Sequence, residues 1–267
     1  MPCCYRAVQE NRENESGGDC MNHFEKGVEC YQRRDYRNAD LHFQQALSEK
    51  GMQVKALDYL GRCRLMLGDS RSALDAFDEA LRIAPLQANL YAGKARAEAL
   101  RGRYEEAEAL SRRALMLDAG SADGWSVLAY VCERTLRLRE AKSCYLRALE
   151  LEPNLEEAHV HLAVVYYQLW EPYSKCLEQL DRALDVNPYS TDALFNKGLI
   201  YKDLRRYGAS KTAFEKLLSI DPDDREANLE LAELYKRDRQ YSKAEQCLSR
   251  ARKRHSYDGR SGGKGRS

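Results

Sequence analysis

Five histidines, nine cysteines and 42 aspartates and glutamates are the side chains of this 267-residue chain with chemistry to offer. His159 and His161 come nearest to a metal-binding pair. Residues two apart on a helix point to different faces, so the expectation is one packed and one exposed histidine rather than two ligands. The carboxylates are scattered among basic residues and read as solvated helix surface. The chain contains no glycine-rich phosphate loop, no GxSxG, no HExxH and no CxxC. Its residues therefore predict no catalytic group, no cofactor and no metal. The cysteines are odd in number and widely spread, which predicts reduced thiols and a cytoplasmic setting, with the nucleus as the alternative.

Two arginines make a more specific pattern: Arg62 and Arg96 lie 34 residues apart. The elements that would hold them are legible. In GDSRSALDAFDEALRIAP (Gly68–Pro85), Ala73, Leu74, Phe77, Ala80, Leu81 and Ala84 recur at helical spacing. Gly68 suits the end of the preceding helix, Ser70 is the expected N-cap, and Pro85 ends the helix. About fourteen residues make a helix of only about 21 Å, marginal alone, so it needs a partner: Val54–Leu67.

The same pattern returns along the chain. LRIAP, LELEP, LDVNP and LSIDP end at Pro85, Pro153, Pro188 and Pro222, spaced by 68, 35 and 34 residues. Tyr36, Tyr104, Tyr173, Tyr207 and Tyr241 keep that beat, with Ser70 and Leu138 in the two other slots. So do the small residues Ala39, Ala73, Ala107, Ala141, Cys176, Ser210 and Ala244. Agreement in seven places establishes an internal repeat of 34 residues.

This repeat resembles the tetratricopeptide repeat over about residues 20–258. The repeat at 54–87 carries Leu57, Gly61, Ala73, Phe77, Ala80 and Pro85 at that family's signature positions. The repeat at 122–155 carries Trp125, Ala129, Ala141, Tyr145, Ala148 and Pro153. The resemblance implies an all-α, right-handed superhelical solenoid of antiparallel helix-turn-helix repeats. The expected units are 20–53, 54–87, 88–121, 122–155, 156–190, 191–224 and 225–258. Polar tails at 1–19 and 259–267 are expected to be disordered. The 156–190 unit has one extra residue within VVYYQLWEPY. Trp170 is expected to pack over that widened turn, with an exposed anchor as the alternative.

In the family the first helix of each repeat lines a concave groove. The matching positions hold Tyr59, Arg62, Arg96, Tyr130, His161, Tyr167, Phe195, Asn196 and Lys202, with Phe24 among others. Arginine with aromatic neighbours suits an extended or acidic peptide, or a helix, of another protein. The expected role is a non-catalytic adaptor or scaffold, or a regulatory or targeting subunit of a multiprotein complex, with no small-molecule substrate. The asparagine that the chaperone-binding arrays use at the ninth position is missing, and of the asparagine ladder that glycosyltransferase-type arrays carry at the sixth position only Asn196 is present. An RNA-binding helical repeat is the less favoured reading. The net charge is +1, and Glu157, Asp192 and Glu226 stand at the second position of their repeats. The apolar run His159–Trp170 is too short to span a bilayer, and the first residues hold no apolar signal segment. Membrane contact would require acylation of Cys3 and Cys4. The basic stretch Arg250–His255 suits either a helix C-terminus or an import signal.

Overall fold

Four of the hairpins begin where a polar side chain takes over the free amides of a helix start. A computed structural model describes residues 22–258, with side chains through Arg252; both tails, with Cys3 and Cys4, lie outside the described residues. Among them are fourteen helices and no strand. They are α1 (His23–Gln32), α2 (Tyr36–Ala46), α3 (Gln53–Met66), α4 (Ser70–Ile83), α5 (Ala88–Leu100), α6 (Tyr104–Leu117) and α7 (Ala122–Arg134). Then follow α8 (Leu138–Leu151), α9 (Glu156–Gln168), α10 (Tyr173–Val186), α11 (Thr191–Asp203), α12 (Tyr207–Ile220), α13 (Arg225–Arg237) and α14 (Tyr241–Asp258). Asn22, Ser121, Ser190 and Asp224 cap first helices through their side chains. The cap of α4 is Asp69, which accepts the Ser72 amide at 3.0 Å; Ser70, the expected cap, is already helical. An aspartate one residue earlier reaches the same amides and adds a full negative charge at the positive end of the helix.

The chain divides into two units, one running to Leu86 with α1–α4 and one from Gln87 with α5–α14. Within each, a helix packs on its hairpin partner, and each second helix also packs on the first helix of the next hairpin. In the second unit α5 also touches α7, α7 touches α9, and α9 touches α11. The first helices thus form a continuous layer of their own. The second helices bury their small residues completely: Ala107, Ala114, Ala141, Ala148, Cys176 and Ala183 have no exposed surface.

Close approach within three hairpins is set by a glycine opposite a phenylalanine. A Cβ built on Gly27, Gly61 or Gly198 would come within 2.7, 2.5 and 2.6 Å of the rings of Phe43, Phe77 and Phe214. All three rings are fully buried. The glycine leaves the space that the ring fills, so the two residues are one packing unit written sixteen positions apart.

The turn inside every hairpin carries one residue in the left-handed region: Arg34, Gly68, Gly102, Leu136, Trp170, Arg205 and Arg239, with φ between 56° and 80°. The amide after it donates back to a carbonyl in the last turn of the first helix at 2.8–3.0 Å, from Asp35 to Cys30 through Gln240 to Tyr235. This is the Schellman closure, and glycine is its low-cost residue. The extra residue of the fifth hairpin falls after Trp170: one residue, Arg137, separates Leu136 from α8's first residue, but two, Glu171 and Pro172, separate Trp170 from α10's. The inserted Glu171 bridges Lys142 of the preceding hairpin at 2.7 Å and Lys175 at 2.9 Å. These two ammonium groups hold its carboxyl near pKa 2. Trp170 does not pack over the turn; it is 92% exposed, because the left-handed backbone aims its side chain away from both helices.

Two changes test this packing. Gly61→Ala should destabilise the chain by about 1–3 kcal/mol, since a methyl group would overlap a ring with nowhere to move. Leu136→Gly, at a side chain that is 78% exposed, should raise stability by up to about 1 kcal/mol by removing left-handed strain. Thermal unfolding followed by circular dichroism measures both.

Candidate protein-binding face

The first helices of the second unit carry seven of the residues expected to contact a partner, and two recesses gather six of them. A small one, about 30 Å³, is lined by Arg96 and Leu100 of α5, Ser126, Val127 and Tyr130 of α7, Tyr145 of α8, and Glu157 and His161 of α9. A larger one, about 180 Å³, lies between α9 and α11, over Ala163, Val164, Leu199 and Ile200, with Tyr167, Asn196, Lys202 and Asp203 also lining it.

The small recess is held together by a polar network that begins in the core. Tyr145 occupies the ring position that Phe43, Phe77 and Phe214 fill in other hairpins, and it is fully buried. Its hydroxyl must find an acceptor. It donates to Glu133 at 2.9 Å, and the same carboxylate oxygen pairs with Nδ1 of His161 at 3.1 Å. His161 stacks on Tyr145 with ring centroids 5.8 Å apart and stands edge-on to Tyr130 at 5.4 Å. Glu157, one turn before His161, forms an ion pair with Arg96, and Asp123 approaches the same guanidinium at 4.0 Å.

The charges follow this geometry. The charge of the Arg96 guanidinium, with the hydrogen bond it donates, holds the Glu157 carboxyl below the ordinary glutamate value. Burial alone would lower the His161 pKa, but the hydrogen bond to Glu133 and the charges of Glu133 and Glu157 outweigh it, so His161 is raised. Burial raises the Tyr130 phenol. Arg96, Glu157, Tyr145 and His161 are thus each committed to another group of the chain.

Lys202 shows the same self-neutralisation beside the larger recess. Its ammonium pairs with Glu230 and, at 2.9 Å, with Glu233, both from α13. Tyr167 donates to Asp203 at 2.7 Å, which raises its phenol, and the Asn196 amide donates to the Asp192 carbonyl at 2.8 Å.

Three expected residues sit elsewhere. Tyr59 is enclosed by rings, 4.8 Å from Phe43, 5.4 Å from Tyr31 and 5.7 Å from Phe24 between centroids. Phe195 leans on Phe214 at 5.7 Å and packs against the core of the last hairpins. Arg62, in the first unit, donates to Asp58 one turn before it at 3.1 Å. His159 is the packed histidine: it is 5% exposed, with its rings' nitrogens 2.8 Å from the Gln179 amide and 2.9 Å from the Pro153 carbonyl. His161 is only partly exposed, so the expected open histidine is a network member instead. Sequence reasoning missed Glu133, Tyr145 and Asp203. The tyrosine in a phenylalanine slot was the available sign that a buried acceptor must lie nearby. Among the described residues no group of three or more histidine, cysteine or acidic side chains is placed to hold a metal, and no helix is long and apolar enough to cross a membrane.

Comparison with known proteins agrees with the helical pattern. Two family models, each described as tetratricopeptide repeat, match residues 122–155 and 191–224, and residues 24–88 and 60–123. The human protein O-mannosyl-transferase TMTC3 is 31% identical over 181 residues, 64% of this chain and 19% of that protein. Anaphase-promoting complex subunit 3 of Schizosaccharomyces pombe is 23% identical over 66% of this chain and 26% of its own length. The chain thus spans about a fifth to a quarter of these curated relatives. Among solved structures, the Cut9–Hcn1 hetero-tetramer of the APC/C superposes on 86% of this chain and 45% of that chain, with a TM-score of 0.72 and 14% identity. Pseudomonas aeruginosa PilF superposes on 73% of this chain and 88% of its own, with a TM-score of 0.63 and 20% identity. At these identities the likeness shows the fold.

The raised pKa of His161 sets a pH dependence. A group whose pKa is higher in the folded state stabilises it fully below the unfolded value, about 6.5. That contribution is lost as pH rises through the folded value. The Tm advantage of the wild type over His161→Gln should therefore be largest near pH 5.5 and shrink towards pH 8.5. A constant difference would mean that His161 contributes only by packing.

Proposed function

The chain belongs to the tetratricopeptide repeat family, and we propose that within it the chain is a non-catalytic adaptor that holds an extended or helical segment of another protein against its first helices. The observation that carries this reading is the pair of recesses on adjoining first helices of the second unit, which together gather Arg96, Tyr130, His161, Tyr167, Asn196 and Lys202. Clefts lined by apolar side chains with a few fixed polar groups on rigid helices are what a docked peptide requires. The same face carries Asp123, Glu133, Glu157, Asp203, Glu230 and Glu233, each within ion-pair or hydrogen-bond reach of a neighbour. That density of carboxylate disfavours a nucleic-acid backbone. A place as one subunit of a larger assembly is favoured by the relatives, among them an anaphase-promoting complex subunit and a type IV pilus assembly protein. The transferase among them matches over 19% of its length, and transferase activity is not carried to this chain.

The test is quantitative affinity purification with wild type and with Tyr130→Ala/Tyr167→Ala/Asn196→Ala, after circular dichroism confirms that both fold. Specific partners should fall by about tenfold or more with the variant, as expected when several contact residues are removed together. Undiminished recovery would remove the first-helix face as the binding site.

A further inference from the structure

We propose that the recess between α9 and α11 receives one large aliphatic or aromatic side chain from a partner segment that carries lysine or arginine beside that anchor. This rests on the adaptor reading above and specifies the chemistry of its partner.

Volume decides which recess takes a side chain. The recess at Arg96, about 30 Å³, has room for one or two waters. The recess at Tyr167, about 180 Å³, is slightly larger than an engineered apolar cavity of about 150 Å³ that binds benzene. One leucine or phenylalanine side chain fills such a space. The surface that would meet it is apolar: Ala163 and Ile200 are buried, and Val164 and Leu199 are partly exposed. The polar groups around it are already occupied, Tyr167 on Asp203 and the Asn196 amide on the Asp192 carbonyl, so the anchor leaves none of them unpaired.

Charge decides what flanks the anchor. Lys202 is the cation of this recess, and Glu230 and Glu233 hold it from the next hairpin. Asp203 lines the same recess, so these groups number three carboxylates to one ammonium, an excess of two negative charges. Glu233 is 67% exposed, and Asp203 is exposed as well. An acidic segment would have to take Lys202 from two carboxylates while facing a third. A basic segment meets the remaining acceptor sites of Asp203 and Glu233, which need not release Tyr167 or Lys202 to take a further donor. The arginine that first suggested an acidic ligand, Arg96, is engaged in the same way by Glu157.

Selection from a random twelve-residue peptide library displayed on phage, against the full chain, tests both halves. Wild type should enrich sequences with a large apolar residue flanked by lysine or arginine. Val164→Phe, which fills the recess, should lose the apolar preference and weaken binding of the selected peptides about tenfold or more, the scale of a lost leucine burial. Leu199→Asn, which makes the wall polar without filling it, should do the same if Val164→Phe fails to fold. Glu230→Gln/Glu233→Gln should keep the apolar preference and lose the basic one. Acid-flanked sequences, an unchanged preference on both recess variants, or no enrichment would each overturn the proposal. Acid-flanked or recess-independent sequences, with capture still sensitive to Tyr130, Tyr167 and Asn196, would leave the adaptor reading standing. Capture insensitive to those residues would remove both.

Discussion

The contact on which the hairpins of Phe43, Phe77, Tyr145 and Phe214 depend is that of a bulky ring in the second helix against a small residue in the first. Where the pair is glycine and phenylalanine, as at Gly61 and Phe77, the contact is purely steric. The fourth hairpin keeps the register with a different chemistry: Ala129 stands in the glycine's place and Tyr145 in the phenylalanine's. One hydroxyl is thereby added to a dry core. Burying it unpaired would cost about as much as a hydrogen bond gains, so an acceptor is obligatory. Glu133 supplies it and is itself 9% exposed. A buried carboxylate in turn demands a donor or a cation, and His161 answers. The polar character of the small recess is thus the outward end of a substitution in the core.

The turns show how one local rule tolerates different residues. All seven hairpins close through a left-handed residue, but glycine holds that position only at 68 and 102. Elsewhere leucine, tryptophan or arginine occupies it, at a cost of about 1 kcal/mol or more for each. The cost is accepted because the neighbouring helices over-determine the turn. Pairing between hairpins adds to this: Arg137 reaches Glu108 at 2.5 Å, Glu171 reaches Lys142, and Asp238 reaches Lys211. The sign of the pair reverses along the series while its position stays, so the repeat conserves the contact geometry rather than the residue.

Much of this fold was legible from spacing. The tyrosines that kept the 34-residue beat prove to be the first residues of second helices, and Ser70 and Leu138 start the helices in the other slots. The stripe of α4 is buried as its periodicity required, with Ala73, Leu74, Phe77 and Ala80 in the core. What was not legible depended on three-dimensional partners. Nothing local to Trp170 says that its backbone turns left-handed, since glycine marks that position only in two sister hairpins. The resemblance to the family placed Tyr59 and Phe195 with the other lining residues, but aromatic rings at such positions can lean back into the neighbouring core, and both do. Asp203 lies seven residues after Asn196 on the same helix, two turns along one face, yet only the fold brings Tyr167 to it across the recess.

The lining cations also show why residue type alone misleads about charge preference. Arg96 and Lys202, read along the sequence, suggest a basic face. The repeat, however, brings later first helices within reach of them: α9 carries Glu157 to Arg96, two repeats on, and α13 carries Glu230 and Glu233 to Lys202. A cation already paired with carboxylates in a partly desolvated setting has little left to give an incoming anion, which must first pay the loss of the existing pair. The carboxylates outnumber the cations, so what remains attractive at the rim is negative. In a stacked array the electrostatics of a face are therefore set by sums over adjacent repeats, and a residue at one signature position acquires its sign of attraction from the neighbours that the 34-residue period places against it.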